Sequence, residues 1–236
     1  MLTKELKTFL HEKGADLVGI APADRMDGAP KGHLLENFLP GTKTVISLGV
    51  RLNRTALNLL PSSRVGHMAD FFEVNNLLGH LSFIAARYLM ERGIAAIPMP
   101  YRVVSTPSGE ALLQKTLQGE ISQKHVAVAA GLGLFGLNNL VLTPRYGPGV
   151  RFGCILTCEE LEPDPLLEGS LCKGSECKKC VEVCPVGALK GDTDFNLLRG
   201  REMDGRRCFH YFYNELGGLR CGLCISVCPL LQGDRW

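Results

Sequence analysis

Eight cysteines in the last 65 residues fall into two runs that end alike. Cys172-x4-Cys177-x2-Cys180-x3-Cys184 is followed by Pro185, and Cys208-x12-Cys221-x2-Cys224-x3-Cys228 by Pro229. Thiolates are soft ligands, and a dense set of them in a chain without an export signal points to metal rather than to disulfides. A C-x2-C-x3-C stretch wraps a tight loop into a short helix and brings thiolates in from different sides, as a four-iron cube requires. The proline then turns the chain away after the last ligand. Zinc is the alternative. A pair of four-cysteine zinc sites would use the C-x2-C knuckles but would not explain two C-x3-C-P endings.

The two runs follow the two-cluster ferredoxin pattern C-x2-C-x2-C-x3-C-P, with the first gap widened to four and to twelve residues. In that pattern the fourth cysteine of each run crosses to the other cluster. Two 4Fe–4S clusters are therefore expected, one held by Cys172, Cys177, Cys180 and Cys228, the other by Cys208, Cys221, Cys224 and Cys184. The aromatics Phe209, Tyr211, Phe212 and Tyr213 would form an apolar sheath beside the ligand Cys208. His210 is read as packing or hydrogen bonding, because the cysteines already close both clusters.

The rest of the chain has to position this tail. Its 236 residues suffice for one large domain with an appendage, and 45% hydrophobic with 21% charged residues excludes wholesale disorder. Formal charge is +2, which gives no reason to expect nucleic acid or an anionic membrane as partner. No run is apolar enough to span a bilayer, and the N-terminus lacks the apolar core of a signal peptide, so a soluble, cytoplasmic protein is expected. Residues 1–153 contain no cysteine.

Leu2, Leu6, Phe9 and Leu10 sit at helical spacing before a Gly14 stop, and 16–21 and 44–50 read as short buried strands. Residues 70–92 carry the longest helical pattern, and 94–97 a third strand closed by Pro98 and Pro100. Residues 101–121 are irregular or partly helical, Ser122 caps a helix to Ala130, and 141–142 and 150–157 are further strands. The expectation is an α+β domain over 1–165, the Pro163-Asp-Pro165 linker, and a ferredoxin-like module over 166–236.

Gly131-x-Gly133-x-x-Gly136 matches a dinucleotide fingerprint letter for letter, but that site needs a strand before it and a helix after it. The other readings are close approach of backbone to a flat macrocycle or a cluster, or tight helix–loop packing. Cys154 and Cys158 lie four apart on a strand and face one side. They could bind metal, form a redox pair, react as thiols or be buried structurally, the last being the commonest fate of free cysteine. Arg199, Arg201, Arg206 and Arg207 read as a solvated face, with an acidic redox partner or a corrinoid's anionic groups as functional alternatives. His67, His80 and His125 are open as cofactor neighbours.

The tail together with Gln123–Gly147 (QKHVAVAAGLGLFGLNNLVLTPRYG) resembles epoxyqueuosine reductase and its relatives, among them the corrinoid- and iron–sulfur-dependent reductive dehalogenases. Gly14–Pro22 (GADLVGIAP) and Leu39–Ile46 (LPGTKTVI) resemble the opening segments of the same family. The resemblance implies a corrinoid-binding domain of nitroreductase-like α+β fold with a ferredoxin module attached. Electrons from a low-potential donor protein would pass through both clusters to cobalamin, and from there to a small-molecule substrate. A non-catalytic electron carrier, or a protein that reactivates a partner corrinoid enzyme, is the second expectation. By the resemblance, the family's proton-donating Asp falls on Leu117, with Glu120 the nearest carboxylate, and the lysine after the third glycine falls on Leu137. The chain ends eight residues after Cys228, so the helical-repeat extension of longer relatives is not expected, nor is tRNA as substrate.

Overall fold

The computed structural model describes residues 1–99, 117, 119–191 and 200–231. It divides into two units, each assembled from three stretches of chain. The first takes Met1–Val50, Asn75–Leu132 and Arg151–Leu167. The second takes Arg51–Val74, Gly133–Val150 and Glu168–Trp236. The boundary expected after 165 lies two residues before the last switch, and the second unit draws on 51–74 and 133–150 as well.

The first unit is built on a four-stranded sheet. Its strands are β1 (Leu17–Pro22), β2 (Thr44–Arg51), β3 (Ala96–Met99) and β6 (Val150–Thr157), in the order β1-β2-β6-β3. β1 runs antiparallel to β2, from Leu17 opposite Gly49 to Pro22 opposite Thr44, and β3 runs antiparallel to β6, from Ala96 opposite Thr157 to Met99 opposite Cys154. The two middle strands are buried along almost their whole length, which explains why they read as unbroken apolar runs rather than alternations. β3 includes Pro98, which the sequence had placed beyond the strand. An edge strand tolerates a residue without an N–H.

Helix α1 (Leu2–Glu12) turns Leu6 and Leu10 inward, and both are fully buried. It closes at Gly14 (φ 107°), with Ala15 N–H reaching back to Leu10 O at 3.0 Å in a Schellman-type turn. α1 and α4 (Gln123–Ala129) both lie against β1. Asp164 ties this unit together, since its carboxylate accepts from Lys7 Nζ at 2.6 Å and from Ile20 N at 2.8 Å. Residues 22–43 hold two 3-10 turns, Ala23–Met26 and Leu35–Asn37, whose Met26 and Leu35 join the core. The expected irregular segment at 101–121 falls mostly outside the described residues.

Helix α3 (Val65–Met90) begins five residues before the apolar pattern indicated, and α2 (Arg54–Asn58) precedes it. Gly66 and the buried His67 open α3 and carry no apolar signal. A Cβ on Gly66 would lie 3.4 Å from Ala56 Cβ, so the glycine lets α2 come close. α2 is capped by Asn53, whose side chain accepts from Ala56 N at 3.0 Å. The second unit also holds a small hairpin, β4 (Leu134–Phe135) with β5 (Val141–Leu142). It further holds three short helices, α5 (Lys179–Glu182), α6 (Gly205–His210) and α7 (Leu223–Ser226).

Candidate metal centres

The two cysteine loops are one design built twice. In each, the residue after the first cysteine of C-x2-C is left-handed: Lys178 at φ 44° and Gly222 at φ 69°. A four-residue helical turn follows, α5 or α7, and carries the next cysteine, Cys180 or Cys224. Hydrogen bonds repeat position for position. Val181 and Glu182 N–H bind Lys178 O, as Ile225 and Ser226 N–H bind Gly222 O. Cys184 N–H binds Val181 O at 3.2 Å, and Cys228 N–H binds Ile225 O at 3.1 Å, each just before its proline. α5 and α7 lie against each other. The repeat read in the letters is a repeat of backbone geometry.

Thiol electrostatics link the two runs. Burial pushes Cys180 up to about 11, and the neighbours that add to the shift are Cys172, Cys228 and Cys177. Burial also raises Cys228, with Cys172 and Cys177 adding, while the N–H groups of Leu230 and Leu231 pull it down. Cys224 is raised further still, first by burial and then by Cys208, Cys221, Cys180 and Cys184. Cys228 of the second run is thus felt at Cys180, and Cys184 of the first run at Cys224, while Cys224 also feels Cys180. Ala188 N–H donates to Cys184 Sγ at 3.3 Å, a bond of the kind that tunes cluster potential.

Ligation needs thiolates, so each centre asks for cationic metal to draw the protons off these raised thiols. Among the described residues no three Cys, His, Asp or Glu side chains converge closely enough to hold one metal ion. A four-cysteine zinc site would place its sulfurs about 3.8 Å apart, given Zn–S near 2.3 Å. An iron–sulfur cube is larger than a single ion, and each of its irons would take one thiolate.

Side chains remote in sequence hold the second loop. Arg64 Nη1 donates to the carbonyl of Cys221 at 2.6 Å and of Arg220 at 3.3 Å. Arg220 N–H donates to Met68 Sδ at 3.0 Å, and its guanidinium lies over the Phe71 and Phe212 rings at 4.9 and 4.4 Å. Asn138 Nδ2 donates to Cys224 O at 3.2 Å. A Cβ on Gly222 would meet Leu60 Cδ1 at 2.6 Å and His67 Nε2 at 2.9 Å, so the loop packs directly on both. No spacing rule links Arg64 or Asn138 to a cysteine 157 or 86 residues away, and the sequence reading missed both.

The aromatics after Cys208 form their own cluster. Phe209 stacks on Tyr213 at 5.1 Å and meets Phe212 edge-on at 5.2 Å. Tyr213 is 43% exposed and His210 faces Glu215 at 3.5 Å, so this is a partly solvated patch rather than a closed sheath. Helix α6 carries Cys208 and passes into a π-turn at Tyr211–Glu215.

Residues 172–230 match the 4Fe-4S dicluster domain family. An epoxyqueuosine reductase of Listeria monocytogenes is 34% identical over 122 residues, covering 49% of this chain and 31% of that protein. A tetrachloroethene reductive dehalogenase of Sulfurospirillum multivorans is 26% identical over 211 residues, covering 85% of this chain and 38% of that protein. The chain is similar in sequence to epoxyqueuosine reductases and reductive dehalogenases. A solved reductive dehalogenase, described as acting in B12-dependent dehalogenation, superposes on 97% of this chain and 32% of its own with a TM-score of 0.77. At 19% identity that likeness shows the fold alone. The chain spans about a third of the length of these relatives.

Against this family background, several singled-out residues take other roles. Leu137, at the position the resemblance assigns to lysine, is 2% exposed. Leu117, at the position of the Asp, is a half-buried, non-glycine residue at φ 58°. Glu120 takes part through its backbone carbonyl, which accepts from His33 Nδ1 at 2.9 Å. Among the arginines, Arg206 and Arg207 are exposed, with Arg207 3.3 Å from Asp204, while Arg201 N–H donates to Asn139 Oδ1 at 3.0 Å. Arg199 lies outside the described residues. His80 is exposed, and His125 Nδ1 lies 2.6 Å from Ser122 Oγ.

Gly131 and Gly133 follow a helix and lead into β4, and Gly136 follows β4, the reverse of a dinucleotide site's strand-then-helix context. A Cβ would meet Pro165 O at 2.1 Å from Gly131, Leu142 O at 2.3 Å from Gly133, and Leu142 Cδ1 at 2.7 Å from Gly136. The chain's own packing fills the space beside each.

Cys154 and Cys158 do not meet a common partner. Cys154 is fully buried, paired across the sheet with Met99 and hydrogen-bonded to Gln123, and burial pushes its thiol up to about 12. Cys158 lies beyond the strand end, its Sγ 3.5 Å from Pro40 O. The folded chain keeps the Cys154 proton that an unfolded chain releases near pH 9.0, so this group's contribution to stability falls as pH rises from about 9 towards 12. Cys154 is expected to stay unlabelled by iodoacetamide at pH 8 in native protein and to label fully in urea, read by peptide mass mapping. Rapid native labelling would contradict its placement.

Proposed function

We propose that the protein is an iron–sulfur oxidoreductase that accepts low-potential electrons at two 4Fe–4S clusters and delivers them to a cofactor and substrate held by the rest of the chain. Cys172, Cys177, Cys180 and Cys228 would hold one cluster, and Cys208, Cys221, Cys224 and Cys184 the other. The observation that carries this reading is the duplicated cysteine loop, whose left-handed residue, helical turn and pre-proline hydrogen bond repeat position for position. These centres supply one-electron chemistry when loaded. The protein's own part is to fix the thiols, to donate N–H bonds to sulfur, and to brace the second loop through Arg64 and Asn138.

Sequence similarity to a reductive dehalogenase, and a fold shared with one described in B12-dependent dehalogenation, make a corrinoid the acceptor class we favour. When bound, it supplies a cobalt that changes oxidation state in contact with a substrate. No step is assigned through Gly131, Gly133 and Gly136, whose Cβ sides are taken up by the chain's own packing. The second reading is a non-catalytic electron carrier, or a reactivating protein for a partner corrinoid enzyme. The specific observation in its favour is that leucines stand at 117 and 137, where the family resemblance calls for Asp and Lys. Anaerobic titration of cob(II)alamin into cluster-loaded protein, followed by EPR, separates the two. A bound base-off signal supports the corrinoid enzyme. Intact clusters with no corrinoid bound move the reading to the carrier.

A further inference from the structure

The duplicated loops differ in what they show to solvent. The second has Gly222 and Leu223 between its cysteines, with Leu223 buried and Gly222 against Leu60 and His67. The first has Lys178 and Lys179 in the same places, and Lys173 directly after Cys172. Lys173 and Lys179 are exposed, and Lys178 is half-buried. Among the described residues none of the three is in an ion pair. Residues 172–190 carry four lysines, Lys190 included, against Glu176 and Glu182, both exposed. The loop therefore places a net positive charge next to its cysteines in sequence, on mostly exposed side chains. Lys178 is also held in the left-handed region, which disfavours a residue with a Cβ and which the second loop fills with glycine.

We propose that this lysine-bearing loop is the docking surface for an acidic one-electron carrier protein, and that electrons enter the chain here. The proposal rests on the iron–sulfur oxidoreductase reading above and adds the entry point and the partner's charge. In the step, the carrier is oxidised by one electron and the cluster on Cys172, Cys177, Cys180 and Cys228 is reduced by one, with no bond made or broken. Positive charge beside a redox centre raises the encounter rate with an acidic surface and excludes basic carriers.

The test is stopped-flow reduction of the cluster-loaded protein, read by bleaching of its visible absorbance. A reduced ferredoxin of acidic surface serves as one probe and a reduced zwitterionic viologen as the other. The ferredoxin rate is expected to fall about tenfold or more from low to high salt, while the viologen rate hardly changes. The double variant Lys173→Glu/Lys179→Glu alters exposed side chains only. It is expected to slow the ferredoxin reaction at low salt by about tenfold or more and to flatten its salt dependence, with iron content and viologen rate kept. Equal ferredoxin rates in wild type and variant, with viologen reducing both, overturn the docking site alone. Loaded protein that neither reagent reduces overturns the oxidoreductase reading, and the docking site with it.

Discussion

Cys221→Ala is expected to lower iron from about eight to about four atoms per chain and to leave one reducible cluster. The proposed assignment gives Cys221 to the cluster of Cys208, Cys224 and Cys184, and Cys221 is among the thiols felt at Cys224, so its loss should spare the centre around Cys180. Paired substitutions test the crossing of the fourth cysteines more sharply than any single one. Cys221→Ala with Cys184→Ala removes two ligands from one centre and should still leave about four irons. Cys221→Ala with Cys228→Ala takes one ligand from each and should leave almost none. Were each run to hold its own cluster, the two double variants would exchange outcomes. Iron and acid-labile sulfide assays, with EPR of the reduced protein, read the result.

Gly131→Ala is expected to destabilise the first unit by about 3 kcal/mol or more. Two effects add. The residue sits at φ 70°, where a side chain costs about 1–2 kcal/mol. The new Cβ would also lie 2.1 Å from Pro165 O and 3.2 Å from its carbonyl carbon, and backbone cannot swing aside as a side-chain tip can. Gly32→Ala is the control, since it has φ 86° and nothing within 4 Å of the new Cβ. It should cost only the backbone share, about 1 kcal/mol. Denaturation midpoints of the three proteins check this. A Gly131 variant no worse than the Gly32 variant would show that the close approach to Pro165 is not there.

The tail was legible because ligand chemistry is written locally. C-x2-C-x3-C-P fixes a left-handed residue, a turn and a proline within nine positions, and the structure has this arrangement twice. The strands at 44–51 and 150–157 were legible for a related reason, since a middle strand buried on both faces is apolar throughout. What was lost depends on distance. Arg64 and Asn138 brace the second loop through carbonyls, and no residue type advertises that role. The start of α3 was missed because Gly66 and His67 interrupt the apolar pattern where α2 packs closely. The G-x-G-x-x-G letters were legible and misleading. They serve the approach of Gly131 to Pro165 and of Gly133 to Leu142, a requirement for small residues that any close packing shares with a nucleotide site.

The central claim is that this chain is built around two iron–sulfur clusters. Metal and sulfide analysis of anaerobically reconstituted protein, joined to Mössbauer and EPR spectroscopy, tests it most directly. The account predicts about eight irons and eight sulfides per chain, all in 4Fe–4S form and reducible in two distinguishable one-electron steps. Colourless protein holding zinc, or protein saturating at four irons with half of its eight tail cysteines still free to alkylate, would contradict it.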